Sequence, residues 1–360
     1  MENKQRTPLF HLAKREELSK GRKLVIRLIS IVAALLLCAV ITALATGINP
    51  LQVYGSIISG AFGSARKTWI TLQDLSILLL ISVALTPAFT MRFWNIGGEG
   101  QVLMGGLATA ACMILLENKV PSVLIMLISF VAAVAAGALW GLIPAVCKAL
   151  WNTNETLMTL MMNYIATQLV SFFIIIWEVP KGSGKIGIIN QNTHDGWLVQ
   201  LFGSKYMLAI TVSILVTVFM YVYLNYSKHG YEIRVVGQSI NTAKYVGINT
   251  GKVIIRTMLL SGALCGLAGL LLVGSINHTI TTTIAGGQGF TAVMVSWMAK
   301  FNPFTMVPCA LLIVFMERGA GEIATNFSLN PSFADIMTGI ILFFIIGCEF
   351  FINYRIKIKK

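Results

Sequence analysis

Phe93-Trp94-Asn95-Ile96-Gly97-Gly98-Glu99-Gly100-Gln101 stands between two long apolar runs. A carboxylate beside three glycines and two side-chain amides is costly in hydrocarbon, where nothing answers its donors and acceptors. Glycine frees the backbone and lets other groups approach it closely. The stretch therefore reads as a helix break facing a protein-lined or watery cavity at membrane depth. The flanking runs read as the structure that carries this cavity.

Of 360 residues, 56% are hydrophobic and 11% charged, with a mean hydropathy of +0.78. Soluble domains carry about 25% charged residues, so this composition belongs to an integral membrane protein. The net charge of +13 is concentrated at the two ends and in one central loop. Such blocks suit orientation by positive loops and contact with anionic membrane lipids. No stacking platform or nucleic-acid motif accompanies them, so nucleic acid is not expected as a partner. The six cysteines fall inside apolar runs without nearby histidines. They read as small apolar fillers, not metal ligands.

Outward from the opening stretch, the apolar runs predict an all-α polytopic protein of about ten transmembrane helices. Residues 1–23 form a basic cytoplasmic segment, 24–351 the transmembrane domain, and 352–360 a basic cytoplasmic tail. The first expected span, about 24–46, reads as a retained anchor, since the polar segment before it is too long for a cleaved signal peptide. A polar stretch, 51–68, is expected at the outer interface. Spans follow at about 69–91, from the Gly-Gly-Glu-Gly-Gln segment to 116, at 121–146, 156–177, 206–224 and 257–276. A short piece ending near Lys300, then 304–316 and 331–351, complete the set, the eighth and ninth being short for a core of about 30 Å. With both termini inside, the inner segments hold 20 of the 27 lysines and arginines, as the positive-inside bias requires.

Enzyme chemistry is not in evidence. Gly182-Ser183-Gly184-Lys185 lacks the upstream glycine and following Ser/Thr of a phosphate-binding loop, and no HExxH occurs. No catalytic or metal-binding residue is expected. Energy for uphill movement then comes from a partner that hydrolyses nucleotide, or from an ion gradient relayed by mid-membrane carboxylates. Asp74, Glu99 and Asp335 are the candidates for such a relay. Asp74 and Asp335 also suit helix starts, and Glu99 also suits capping the backbone N–H groups of a broken helix. Asn154 or Thr153 suits capping of the fifth span, and Asn163 lies a turn or two further in. Trp94 and Trp297 suit either stacking on a base or packing at the interface.

The charged loop 225–256 contains Tyr231–Ile248, which reads as a turn, a short helix and a glycine stop. Ser239 or Asn241 suits the N-cap and Gly247 the position after the last turn. So short a helix is unstable alone, and it exposes Tyr245, Val246 and Ile248. Docking into a groove on another protein would explain both.

Four stretches occur in order: Phe93–Gln101, Asn154–Ala166, Arg234–Ile248 and Ser261–Gly269. Together they resemble the permease subunits of ABC importers in the ribose and branched-chain amino acid superfamily. The Asn-Ile-Gly-Gly-Glu-Gly-Gln form resembles its nucleoside, or simple-sugar, branch. The resemblance implies a permease of the bacterial plasma membrane that binds no cofactor itself, with ATP and Mg on a partner ABC ATPase. It also implies a second, related permease forming a heterodimer, and a lipoprotein receptor of basic-membrane-protein type that captures a nucleoside. Expected along the translocation route are Asn95, Gly97, Gly98, Glu99, Gln101, Asn163, Gln288 and Phe290. Expected at the ATPase contact are Arg234, Gly237, Asn241, Ala243, Lys244 and Gly247. Gln238, Lys244 and Tyr245 stand where the family more usually has acidic or small residues. A simple-sugar permease and an ion-coupled secondary transporter are the competing readings.

Overall fold

A computed structural model of the chain describes residues 10–15, 19–47 and 49–358. Its helices are α1 (Lys20–Thr46), α2 (Pro50–Phe62), α3 (Ala65–Thr90), α4 (Gly98–Leu116), α5 (Ser122–Trp151), α6 (Glu155–Trp177) and α7 (Met207–Tyr226). These are followed by α8 (Lys228–Gln238), α9 (Ile240–Tyr245), α10 (Thr250–Leu271) with a π-helical end at Leu272–Asn277, α11 (Gln288–Met298), α12 (Pro303–Asn326) and α13 (Pro331–Asn353). Two short strands, β1 (Phe10–Lys14) and β2 (Tyr354–Ile358), complete the described elements.

Eight of the described helices are long and apolar enough to cross a membrane, and they lie within α1, α3, α4, α5, α6, α7, α10 with its π-helical end, and α12. Of the two crossings expected to be short, the eighth is short and the ninth is not. The eighth is an 11-residue helix, α11, about 16 Å long at 1.5 Å per residue, preceded by non-helical chain. The ninth, expected to stop at 316, continues to Asn326 as a 24-residue helix. Helix α3 begins at Ala65, so Asp74 lies more than two turns inside it, away from the helix start expected for it. The side chain of Asp335 lies outside the described residues, as do 1–9 and 16–18 of the basic N-terminal segment.

Two compact units emerge, one from the chain up to Thr71 together with Leu312 onward, the other from Leu72–Leu311. In the first, α1 packs along α13, and β1 pairs antiparallel with β2, Phe10 opposite Ile358 and Lys14 opposite Tyr354. That ribbon brings the two basic ends of the chain together. Helix α2 starts on Asn49, whose Oδ1 accepts from Leu51 N at 2.9 Å, with Pro50 in the first turn.

The second unit is built on α4, α5 and α10, which contact one another most extensively. Small residues explain how. A Cβ on Gly266 or Gly262 of α10 would fall on the carbonyls of Ala133 or Gly137 of α5, and one on Gly269 would fall on Val102 O of α4. In a membrane, where apolar burial gives no advantage over lipid, such backbone-to-backbone approach is what holds helices together. An apolar cluster of Leu103, Leu107, Val170, Ile174 and Val273 joins α4, α6 and the π-helical end of α10 above this seam.

Candidate functional site: the break between α3 and α4

Between Met91 and Gly97 the chain leaves helical geometry, with Arg92 at φ 60°. Asn95 is fully buried and organises the turn. Its Oδ1 accepts from Gly97 N at 3.0 Å and from Gln101 Nε2 at 3.3 Å, while its Nδ2 donates to Ser261 Oγ of α10 at 3.2 Å. The far side is held by α6. Asn163 Oδ1 accepts from Gly100 N at 2.8 Å, Asn163 Nδ2 donates to Ile96 O at 2.9 Å, and Ile96 N donates to Thr159 Oγ1 at 3.2 Å. The break thus answers its backbone groups with side-chain amides and a hydroxyl, as non-helical chain at membrane depth requires.

Glu99, in the first turn of α4, reaches a second break. Its Oε1 accepts from Gly287 N at 2.9 Å and its Oε2 from Gly289 N at 2.8 Å. These are N–H groups at the start of α11, where a carboxylate opposes the positive end of the helix dipole. Gly286 and Gly287 are both left-handed, at φ 59° and 75°, a geometry that favours glycine. At Gly289 a Cβ would collide with Glu99 N. One carboxylate therefore clips the short helix to the broken one. Capping was expected of Glu99 on the broken helix adjacent to it; the N–H groups it accepts from here belong to α11.

The expected route residues separate into two sets. Asn95, Gly97 and Gln101 are buried with Asn163 in the bonded network, Gly98 is buried against Leu85, and Glu99 spends both oxygens on α11. Gln288 is half-buried, its Oε1 enclosed without a partner among the described residues, and Phe290 is exposed. Trp94 and Trp297 stack at 5.0 Å, with Phe301 edge-on to Trp297 at 5.5 Å. Both tryptophans remain exposed, at 42% and 47%. The sequence reading passed over Thr159 and Ser261 as partners of the break. It also passed over Gln168, an exposed amide midway along α6. A lone glutamine in an apolar span is the signal that would have found it.

The segment after α7 also touches the break. In α8, Gly237 packs against the end of α3 so closely that a Cβ would fall on Thr90 O. Arg256 of α10 pairs with Glu232 at 2.9 Å, and that guanidinium bond holds the Glu232 carboxyl below its ordinary range. Ser239 caps α9 by accepting from Thr242 N at 3.2 Å, and Gly247 closes it at φ 81°. Of the expected ATPase contacts, Arg234, Asn241, Lys244 and Gly247 are exposed, whereas Gly237 and Ala243 are buried within the chain. The outward face of α9 and its end consists of Ile240, Asn241, Lys244, Tyr245 and Val246, with Tyr245 93% exposed.

Residues 68–346 match the family model described as branched-chain amino acid transport system / permease component. Among characterised proteins, the chain is 28% identical to the nucleoside ABC transporter permease protein NupB of Lactococcus lactis, over 91% of this chain and 92% of that one. It is 30% identical to the guanosine ABC transporter permease protein NupP of Bacillus subtilis, over 89% and 92%. Against NupQ, a guanosine permease protein of the same Bacillus, identity is 26% over 71% and 82%.

Proposed function

This chain belongs to the family of branched-chain amino acid transport system permease components, and on that premise we propose that it is the nucleoside-conducting permease of a bacterial ABC importer. It is a multi-pass protein of the plasma membrane and a transport subunit, not an enzyme. It works with a separate ATPase and a substrate-binding protein. The finer assembly is our reading: a heterodimer with a related permease, a lipoprotein receptor of basic-membrane-protein type, and ATP with Mg bound only by the ATPase. Similarity to two different guanosine permeases of one Bacillus supports the heterodimer.

The observation that carries the mechanism is the seating of Gly237 on Thr90 O, at the last residue of α3. The ATPase docks on α9, through Ile240, Asn241, Lys244, Tyr245 and Val246. Movement of α9 passes to α8 and, without a cushioning side chain at Gly237, to the end of α3. From there the 91–97 break moves the start of α4, and the Glu99 clip moves α11 with it. Phe290, Gln288 and the Trp94–Trp297 stack then face the passing nucleoside in alternation from the two sides. An ion-coupled carrier is disfavoured because Glu99, its best relay candidate, spends both oxygens on α11.

We place ten crossings in this reading, with 278–298 as the eighth. Ile280 lies beside Gly106 of α4, and Gly287 beside Glu99, about two turns nearer the inner end. The segment thus descends as non-helical chain, through turns at 282–287, and completes its passage as α11. Paired termini call for an even number of crossings.

Uptake of labelled guanosine and other nucleosides is the test. Cells lacking this gene lose it, and a plasmid copy restores it. Unchanged nucleoside uptake with loss of uptake of a simple sugar would overturn the substrate assignment.

A further inference from the structure

The connection between α6 and α7 folds over the end of the second unit opposite α8 and α9. Ile189 N donates to His278 O at 2.7 Å, Leu198 N to Gly274 O at 2.8 Å, and the Trp197 ring lies flat on His278 at 3.6 Å. Beneath it is a cavity of about 670 Å³, within the range of small-molecule sites. Its polar lining comes from Ser171 of α6, Lys185 of the connection, and Thr279, Thr281 and Thr282 of the non-helical segment before α11. Its apolar walls are isoleucines, Ile174 and Ile175 on α6 and Ile186 and Ile188 opposite.

The hydroxyls decide what it takes. Several span hydroxyls of the second unit donate to their own helices: Ser82, Thr86, Thr109, Thr167 and Thr217 each bond the carbonyl four residues back, at 2.7 to 3.0 Å, whereas those of Ser213 and Thr257 are enclosed without a partner among the described residues. Ser171, Thr279, Thr281 and Thr282 make no such bond among the described residues. A hydroxyl both donates and accepts, so four of them lining one cavity match a ligand that does the same at several positions. No carboxylate lines the cavity to hold a cation, and the single ammonium is that of Lys185. The isoleucine walls suit the C–H face of a sugar ring.

We propose that this cavity is an outer binding station for a neutral polyol, namely the ribose of a nucleoside handed over by the receptor. The inference rests on the nucleoside reading for its source of ribose, but the site itself is defined by the hydroxyl lining. Its ligand leaves along this non-helical segment toward Gln288 and Phe290.

The test uses Thr281→Cys in cells carrying the complete importer, alkylated from outside by a membrane-impermeant maleimide, with the parent chain as background. At about 10 mM ligand and a Kd of about 1 mM, mass action slows alkylation about tenfold. Slowing by nucleoside and by ribose, but not by free base, supports the station. No slowing by either, in cells that take up nucleoside, overturns it and leaves the nucleoside reading intact. Slowing by base alone overturns the ribose assignment. Slowing by ribose in cells without nucleoside uptake supports the polyol site and overturns the nucleoside reading instead. Independently, Thr281→Val raises the half-saturating nucleoside concentration about three- to tenfold, the worth of one hydrogen bond, and Thr281→Ser restores it. An unchanged value in Thr281→Val at equal membrane abundance would also overturn the proposal.

Discussion

Glu99 joins two helix breaks that are 188 residues apart in the chain. Each oxygen accepts one N–H, so replacing the carboxylate by an amide removes the charge from both bonds and turns one acceptor into a donor facing a donor. Hydrogen bonds to charged groups contribute about 1.5–3 kcal/mol each. In Glu99→Gln we expect α11 to detach, with transport reduced at least about tenfold and membrane insertion unchanged. Uptake assays with quantification of the protein in membranes check this. Normal uptake would show that the clip is dispensable. The same residue marks how far sequence reading reaches. A lone carboxylate among glycines pointed to a break and to three roles, cap, lining of the route or relay. Choosing between them needed Gly287 and Gly289, whose approach depends on the tertiary course of the whole segment 278–289. By contrast, Asn154 accepts from Thr156 N and Leu157 N, and Ser239 from Thr242 N. Those caps were legible because donor and acceptor lie within three residues.

At the scale of elements, the proposed mechanism makes α8 the link between the docking face and the break. Gly237 and Ala243, carried over by resemblance as ATPase contacts, are buried within the chain, and in the proposed mechanism they pass movement on from the docking face. Burial against Thr90 O is a long-range property that the helix's own sequence does not encode, whereas the glycine stop at Gly247 follows from the local turn. Gly237→Ala places a methyl on a backbone carbonyl that cannot retreat without moving α3. Overpacking of this kind costs about 1–3 kcal/mol. The expected outcome is a correctly inserted permease whose ATPase still turns over while nucleoside uptake falls at least about tenfold. Paired ATPase and transport measurements on purified importer check it. Equal loss of both activities would point to a failed dock instead. Helix α11 shows the other limit of the sequence: its apolar piece was read as a short eighth crossing, but the turns at 282–287 that precede the 11-residue helix have no periodicity to announce them.

For the whole molecule, composition and the placement of positive charge were sufficient to read a polytopic helical protein with both ends on one side. The ribbon of β1 and β2 agrees, since strands from the two termini can pair only on a common side. What composition left open was the source of energy, because a passive gate and a self-sufficient carrier share the same hydropathy. The two differ in what the isolated chain does. Purified chain in proteoliposomes, under imposed proton and sodium gradients, is predicted to move no nucleoside, whereas vesicles that also contain the ATPase and the sister permease, with receptor outside and ATP within, accumulate it. Gradient-driven nucleoside uptake by the chain alone would contradict the account.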